Sequence, residues 1–352
     1  MNMNEILDAY KGKRVLVTGH TGFKGSWLCQ ILKMANAEVI GYALAPEIYP
    51  SLFEVADIAS GMDSVIGDIR DLAHLRSVFD KYQPEYVFHL AAQPIVRQSY
   101  RNPVDTYSTN VMGTVNLLEC VRHTDSVRSV VNVTTDKVYL NEENGKAFKE
   151  NDKLDGFDPY SNSKSCSELV THSYVKSFLK EKGVCVSTVR AGNVIGGGDF
   201  EVDRIIPDCV RAVLGGKVVN VRNPYSIRPY QHVLEPLYVY LMIASMQLKN
   251  PDMQGAYNVG PDQKDCWTTG QLVDCFCKEW GEGCSWVNQS QGGPHEAGML
   301  ILDCQKLKNT FGWKPHWNVH IAIDKIVEWT KIYRAHESVK DCMKQQIKEY
   351  LA

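Results

Sequence analysis

No Cys-x-x-Cys pair occurs in this chain, although its 11 cysteines run from Cys29 to Cys342. An odd count without framework spacing excludes a disulfide scaffold. The densest group, Cys266, Cys275, Cys277 and Cys284, matches no zinc spacing, and Cys275 and Cys277 would point to different faces of a helix. Reduced, partly buried thiols and no metal are therefore expected. There is no basic run, and the net charge is -3, which argues against nucleic acid or an anionic membrane surface as partner. Nor is there an apolar leader: Met1-Asn2-Met3-Asn4-Glu5 carries an early acid, so no secretory signal is expected. The most apolar long stretch, Leu237 to Met246, is too short to span a bilayer and predicts a buried helix. These absences point to the cytoplasm. Internal repeats and low-complexity linkers are missing too.

What remains is an ordinary globular composition, 44% hydrophobic and 22% charged over 352 residues, enough for one large domain or two. Lys13 to Thr18 is a short β-branched run and predicts a buried first strand. Gly19-His20-Thr21-Gly22-Phe23-Lys24-Gly25 follows, and helical spacing then runs from Ser26 to Ala35. Strand, glycine turn and helix form a phosphate-binding unit. Glycines let backbone approach a pyrophosphate, and a helix N-terminus offers free N–H groups. The second strand, Glu38 to Leu44, ends in Ala43-Leu44-Ala45, with no acid for a ribose and no nearby Arg or Lys for a 2′-phosphate. NAD is the cofactor expected. Further strands are predicted in Ser64–Asp71 (with its turn), Tyr86–Ala92, Ser129–Thr134 and Val184–Val189. Asp71 is a helix N-cap, and Val104–Arg122 a long helix. Strands alternating with helices predict an α/β fold with a doubly wound parallel sheet.

After Arg190 the pattern changes. Gly196-Gly197-Gly198 makes a flexible loop, and Arg204, Arg222 and Arg228 appear among prolines. Two guanidinium groups converging on a pyrophosphate would suit a nucleotide-linked substrate; separate surface arginines are the alternative. Several tryptophans of the tail (Trp267, Trp280, Trp286, Trp313, Trp317, Trp329) predict the core of a smaller lobe. The expected division is a dinucleotide-binding Rossmann domain over 1–190, returning near 232–262, and an interleaved, mixed α/β substrate lobe over 191–352.

The chemistry is expected at Asp158-Pro159-Tyr160-Ser161-Asn162-Ser163-Lys164. Pro159 suits a first helical turn, and good helix formers continue to about Lys180. Tyr160 and Lys164 are four apart and share one helix face. An ammonium beside a phenol favours the phenolate, so the pair could move a proton on a sugar hydroxyl.

Four stretches together resemble the extended short-chain dehydrogenase/reductase family. They are Gly19–Trp27, Gly67-Asp68-Ile69-Arg70-Asp71, His89-Leu90-Ala91-Ala92-Gln93-Pro94 and Tyr160-x-x-x-Lys164. Tyr107–Thr114, Arg190–Asp199, Arg228–Pro236 and Pro294-His295-Glu296-Ala297 narrow the resemblance to its CDP-glucose branch. It spans about Gly12 to Trp329. The resemblance implies a lyase acting on CDP-glucose in nucleotide-sugar (lipopolysaccharide deoxysugar) biosynthesis. Tyr160 would take the 4-hydroxyl proton as hydride passes from C4 to NAD, with Lys164 lowering the phenol pKa and holding the nicotinamide ribose. Water would then leave across C5–C6, and the hydride would return to C6. Thr134-Thr135-Asp136-Lys137 differs from the Thr-Asp-Glu of many sugar-nucleotide dehydratases. Asp136 would protonate the leaving 6-hydroxyl, Lys137 would remove the C5 proton, and Thr135 would hydrogen-bond the 4-oxygen. Gly19, Thr21, Gly22, Phe23, Lys24, Gly25, Asp68, Ile69, Ala91 and Ala92 would hold the cofactor. Gln93, Arg97, Asn193, Arg204, Arg222, Arg228 and His295 would hold the substrate. The family also implies a homodimer through the helices Val104–Arg122 and Pro159–Lys180. The loop Leu140–Phe148 lacks the branch's two tryptophans, and Lys149 replaces its arginine, which leaves nucleotide and sugar preference open. Other nucleotide-sugar dehydratases and epimerases, and a non-catalytic NAD-binding module, are the alternatives.

Overall fold

The computed structural model describes residues 3–289 and 299–352. Its frame is a parallel sheet of seven strands: β1 (Arg14–Thr18), β2 (Glu38–Ala43), β3 (Asp63–Ile66), β4 (Tyr86–His89), β5 (Ser129–Val133), β6 (Cys185–Ala191) and β7 (Ala256–Val259). Their spatial order is β7-β6-β5-β4-β1-β2-β3. The order reverses between β1 and β4, so a crevice opens beyond their carboxyl ends. β1, β4, β5 and β6 are buried almost throughout, as strands covered on both faces must be.

Helices cover both faces. On one, α1 (Phe23–Met34) packs with the C-terminal helices around Trp27, Leu28 and Trp329. On the other, α2 (Leu72–Tyr82) and α3 (Gly113–Arg122) enclose Phe79, Leu117 and Val121. Asp71 caps α2, accepting from the His74 N–H at 2.9 Å. α4 (Pro159–Tyr174) begins at Pro159, with Asp158 accepting from the Ser161 N–H at 3.0 Å. The predicted long helix from Val104 is interrupted by a π-turn at Ser108–Met112, and α4 likewise runs into a π-turn at Val175–Leu179. Each extra residue shifts the side chains that follow, a change that hydrophobic spacing does not reveal. The first turn places Asn110, whose amide bonds the Gln93 backbone N–H at 2.8 Å and Ser163 at 2.8 Å.

A second core lies beside the crevice. α5 (Ile205–Leu214), α7 (Thr269–Trp280) and α8 (Val319–Arg334) bury Cys209, Phe276 and Ile323 against the parallel pair Val219–Val221 and Trp286–Asn288. Between α5 and α7 in sequence, α6 (Leu234–Lys249) returns to the main sheet. Trp280, Trp313, Trp317 and Trp329 are buried, whereas Trp267 and Trp286 are half-buried. All eleven thiols are free. No group of residues suited to a metal ion, and no helix long and apolar enough to cross a membrane, occurs among the described residues.

Candidate active site

A cleft of about 1250 Å³ lies across the carboxyl ends of the strands. The glycine turn contributes Gly19, Thr21, Gly22, Phe23, Lys24 and Gly25. Asp68 and Ile69 follow β3; Ala91, Ala92, Gln93 and Arg97 follow β4; Thr135, Asp136 and Lys137 follow β5. Tyr160 and Lys164 project from α4, and Asn193, Arg204, Arg222 and Arg228 form the opposite wall. His295 lies outside the described residues.

The glycine end fits a dinucleotide by what it cannot contain. Gly19 has φ +75, and a Cβ there would lie 2.8 Å from Ala91 N; a Cβ on Gly25 would lie 2.1 Å from Gly19 O. Only bare backbone lets strand, turn and α1 close to this distance. Gly22, the N-cap of α1, makes no side-chain capping bond, so the first N–H groups of α1 are left for a ligand. Thr21 Oγ1 donates to Leu44 O at 2.9 Å, tying the turn to the end of β2. Ala43, Leu44 and Ala45 line the cleft without an acid, and Glu47 joins the same wall two residues on. Asp68 is held by Arg70, at 2.9 Å from its backbone N–H and 2.6 Å from Nη2, which keeps the carboxyl below its usual range.

At the deep end, burial dominates the ionisation of three groups. Tyr160 is pushed up to about 12 by burial, opposed first by a hydrogen bond with Thr135 and then by Arg204. Lys164 is pushed down to about 7, by burial and then by Lys24. Its Nζ donates to Val133 O at 3.1 Å. Lys24 is itself lowered to about 8, by burial and then by Arg204. The phenol is thus raised where a lowering by Lys164 was expected: burial outweighs the opposing effects of Thr135 and Arg204, and Lys164 donates to a backbone carbonyl. Asp136 is 1% exposed. Its Oδ1 accepts from Thr135 Oγ1 at 3.0 Å and from Lys137 Nζ at 2.9 Å. Asp136 Oδ2 and Asn193 Oδ1 are buried and find no partner among the described residues. Both residues line the cleft, where a polar group could pair with these acceptors.

Behind these groups lies a buried network that the sequence reading missed. Glu168 takes Arg190 Nη2 at 2.9 Å and Nε at 3.0 Å, and also accepts from Thr188 at 2.7 Å and from Thr134. Arg190 Nη1 continues to Tyr139 Oη at 2.8 Å and Glu150 O at 2.9 Å. The network clamps α4 to the end of β5, one residue before Thr135. A signal was present: Glu168 follows Lys164 by four and Tyr160 by eight, on the same helix face.

On the opposite wall Arg204 meets Asp199 at 3.0 Å, and Arg222 meets Asp203 and, at 3.3 Å, Asp208. The two guanidiniums share one cleft, Arg204 with one acid and Arg222 with two. Arg228 is buried, with Nη1 donating to Ile227 O at 2.9 Å.

A doubly wound sheet, a glycine turn at its switch point and a Tyr/Lys pair on the helix facing it define the short-chain dehydrogenase/reductase class. The family model described as GDP-mannose 4,6 dehydratase matches residues 16–326, and the chain belongs to that family. Over 349 residues it is 46% identical to CDP-glucose 4,6-dehydratase of Salmonella typhimurium, covering 97% of each chain. It is 28% identical to a probable dTDP-glucose 4,6-dehydratase of Sinorhizobium fredii, covering 90% of this chain and 92% of that one. Among solved structures, UDP-glucose 4-epimerase of Thermus thermophilus in complex with NAD superposes with TM-score 0.78 at 25% identity, over 90% of this chain and 99% of that one. A dTDP-glucose 4,6-dehydratase of Bacillus anthracis gives 0.75 at 22% identity, over 93% and 99%, and shares the fold.

Proposed function

We propose that this protein dehydrates CDP-glucose to CDP-4-keto-6-deoxyglucose, with NAD as a resident cofactor regenerated in every cycle. The observation that carries the reading is the contact between Asp136 and Lys137 at 2.9 Å, in the cleft that also holds Tyr160 and Lys164. The Salmonella relative, 46% identical, bears the name of this activity. Residues 1–190, returning near 232–262, would hold the dinucleotide, and 191–352 the sugar nucleotide. Gly19, Gly22 and Gly25 would take the pyrophosphate of the cofactor, and Ala91, Ala92 and Ile69 its flat rings.

NAD, when bound, would supply the acceptor for the C4 hydride and the donor of that hydride to C6. The residues of the chain manage the protons. Tyr160 would be the base toward the 4-hydroxyl, with Thr135 and Arg204 opposing the rise that burial imposes on its phenol, and Thr135 would hold the 4-oxygen. A carbonyl at C4 acidifies the C5 proton. Transfer of one proton across the 2.9 Å contact turns the Asp136–Lys137 ion pair into a carboxylic acid and a free amine. The amine can then remove the C5 proton while the acid protonates the departing 6-oxygen. Asp136, almost wholly buried, is shielded from bulk water for this step. Arg204, Arg222 and Arg228 would meet the substrate diphosphate.

Incubation with CDP-glucose and catalytic NAD should yield a 4-keto sugar that absorbs in alkali, without net NADH. Build-up of NADH equal to substrate consumed, with no 6-deoxy product, would refute the reading. The exposed apolar residues Val104 (81%), Met112 (51%) and Leu169 (55%) lie on the helical segments Pro103–Arg122 and Pro159–Tyr174. They support a homodimer through a helical interface, for which light scattering at micromolar concentration should give twice the 39.7 kDa of one chain.

A further inference from the structure

Cys275 and Cys277, from the densest cysteine group, stand on the last two turns of α7 and meet different neighbours. Cys275 Sγ lies 3.5 Å from His320 Nδ1 on α8. Cys277 Sγ instead meets Cys284 Sγ at 2.9 Å. Even the smaller carbon atoms rest in contact only at about 3.5–4.0 Å. Both thiols of the pair are free and half-buried, and neither lines the cleft. Cys209 on α5 is wholly buried in the same core.

A tight turn sets this contact. Gly281, Glu282 and Gly283 have φ of +72, +51 and +72, a left-handed backbone that glycine takes without a Cβ penalty. The Gly281 N–H donates to Cys277 O at 3.1 Å, and the Cys284 N–H donates to Gly281 O at 2.9 Å. The chain is thereby folded back over the end of α7. It then enters the strand Trp286–Asn288, which runs beside Val219–Val221. The Val219 N–H donates to Ser285 O and the Gln289 N–H to Val221 O, both at 2.9 Å. Asn220 and Val221 line the cleft, so the turn anchors a strand that backs the cleft wall. Gly281, Glu282 and Gly283 are exposed, which opens the pair to a small reagent from solvent.

We propose that Cys277 and Cys284 are a modification site, forming a reversible disulfide by exchange with a small disulfide such as oxidised glutathione and so fastening this turn to α7. The site does not depend on the reaction proposed above. Burial, and then Cys284, raises the Cys277 thiol, so Cys277 keeps its proton and attacks second. In the first step Cys284 gives up its proton and its sulfur attacks the small disulfide. A mixed disulfide forms, the S–S bond of the reagent breaks, and one glutathione leaves and takes up a proton. In the second step Cys277 Sγ attacks Cys284 Sγ. The mixed bond breaks, and the second glutathione leaves with the Cys277 proton. Two protein thiols are oxidised and one small disulfide is reduced to two thiols. Closing the protein bond takes less than about 1 Å of sulfur movement. The second step is intramolecular between atoms already in contact, so the mixed disulfide does not accumulate.

Glutathione buffers of graded redox ratio, followed by alkylation and unreduced tryptic mass spectrometry, test this. Trypsin cuts after Lys278 and so places Cys277 and Cys284 on different peptides. In oxidised glutathione the two peptides should appear joined through these residues, lighter by two hydrogens than the reduced pair, and dithiothreitol should separate them. Cys277→Ser should trap glutathione on Cys284. The oxidised wild type should unfold a few degrees above the reduced form, because the ring restricts the unfolded chain. That difference should vanish in Cys277→Ser. The proposal is overturned by absence of the joined pair in oxidised glutathione, by a bond through Cys209 or Cys275 instead, by a lasting glutathione adduct on wild-type Cys284, or by unfolding midpoints that coincide. If Cys277→Ser does not fold, the wild-type peptide map and its reversal by dithiothreitol decide alone.

Discussion

Two helices of equal length, 16 residues each, pack against the sheet and are built on opposite principles. α6 buries Leu237, Val239, Leu241 and Ile243, and its stability comes from apolar area removed from water. α4 buries Tyr160, Ser161, Ser163, Lys164, Ser165, Ser167, Glu168 and Thr171. Burying such groups is unfavourable unless each finds a partner. They do: Asn132 Nδ2 bonds Ser167 at 3.1 Å and Thr171 at 2.8 Å, Ser165 donates to Val138 O at 2.7 Å, and Glu168 pairs with Arg190. An apolar face tolerates sliding and repacking, whereas a hydrogen-bonded face holds one register. α4 carries Tyr160 and Lys164, whose atoms, in the proposed reaction, would meet a substrate at fixed distances.

Tyr160→Phe should separate the helices most. Turnover is expected to fall by about 10²–10⁴-fold, while unfolding in urea shifts by only about 1 kcal/mol for the lost phenol hydrogen bond. A larger stability loss would mean that Tyr160 is mainly structural. Glu168→Ala comes next, since it strands the Arg190 guanidinium in the interior. Breaking a buried pair in this way costs about 3–5 kcal/mol. A change below about 1 kcal/mol would show that water reaches the pair. In α6, Leu241→Ala should cost about 2–5 kcal/mol by leaving a cavity, with kcat per folded molecule unchanged. Loss of kcat there would show that the two helices are coupled.

The pH dependence of stability differs in sign between the helices. Lys164 is lowered to about 7 from an ordinary lysine value of 10.5. Between these values the unfolded chain binds the extra proton, so this group makes stability rise with pH. In α6, Glu235 is raised to about 7 by burial, from 4.5. Between pH 4.5 and 7 the folded chain binds the extra proton, so this group makes stability fall as pH rises. Lys164→Met should remove the alkaline gain, and Glu235→Gln the loss above pH 4.5, in unfolding curves taken across pH. Unchanged slopes would show that neither group is desolvated in solution.

Local signals carried far where the cause is local. The β-branched run of β1, the glycine turn, the Asp71 cap and the Asp158-Pro159 start of α4 each depend on residues within a few positions. The strand–helix alternation was legible for the same reason, and the doubly wound order follows from it. The π-turn at Ser108–Met112 was not, because it is settled by what Asn110 reaches across the fold: Gln93 and Ser163. The Arg190–Glu168 pair spans 22 positions, and Arg222 finds Asp203 across 19; neither has a spacing rule that would announce it.

Candidate chemistry divides in the same way. Residue types at short spacing marked the Tyr160/Lys164 pair; the resemblance marked Asp136 and Lys137 and supplied roles for all four. Protonation behaviour came from tertiary structure. Lys164 and Lys24 are depressed because the fold buries both and then sets Lys24 near Lys164 and Arg204 near Lys24; Tyr160 is raised because the cleft buries it. The sequence by itself determined which groups could exchange protons. Only the tertiary structure decided which are shielded from water and which touch, because desolvation and contact belong to chain segments brought together from far apart in the sequence.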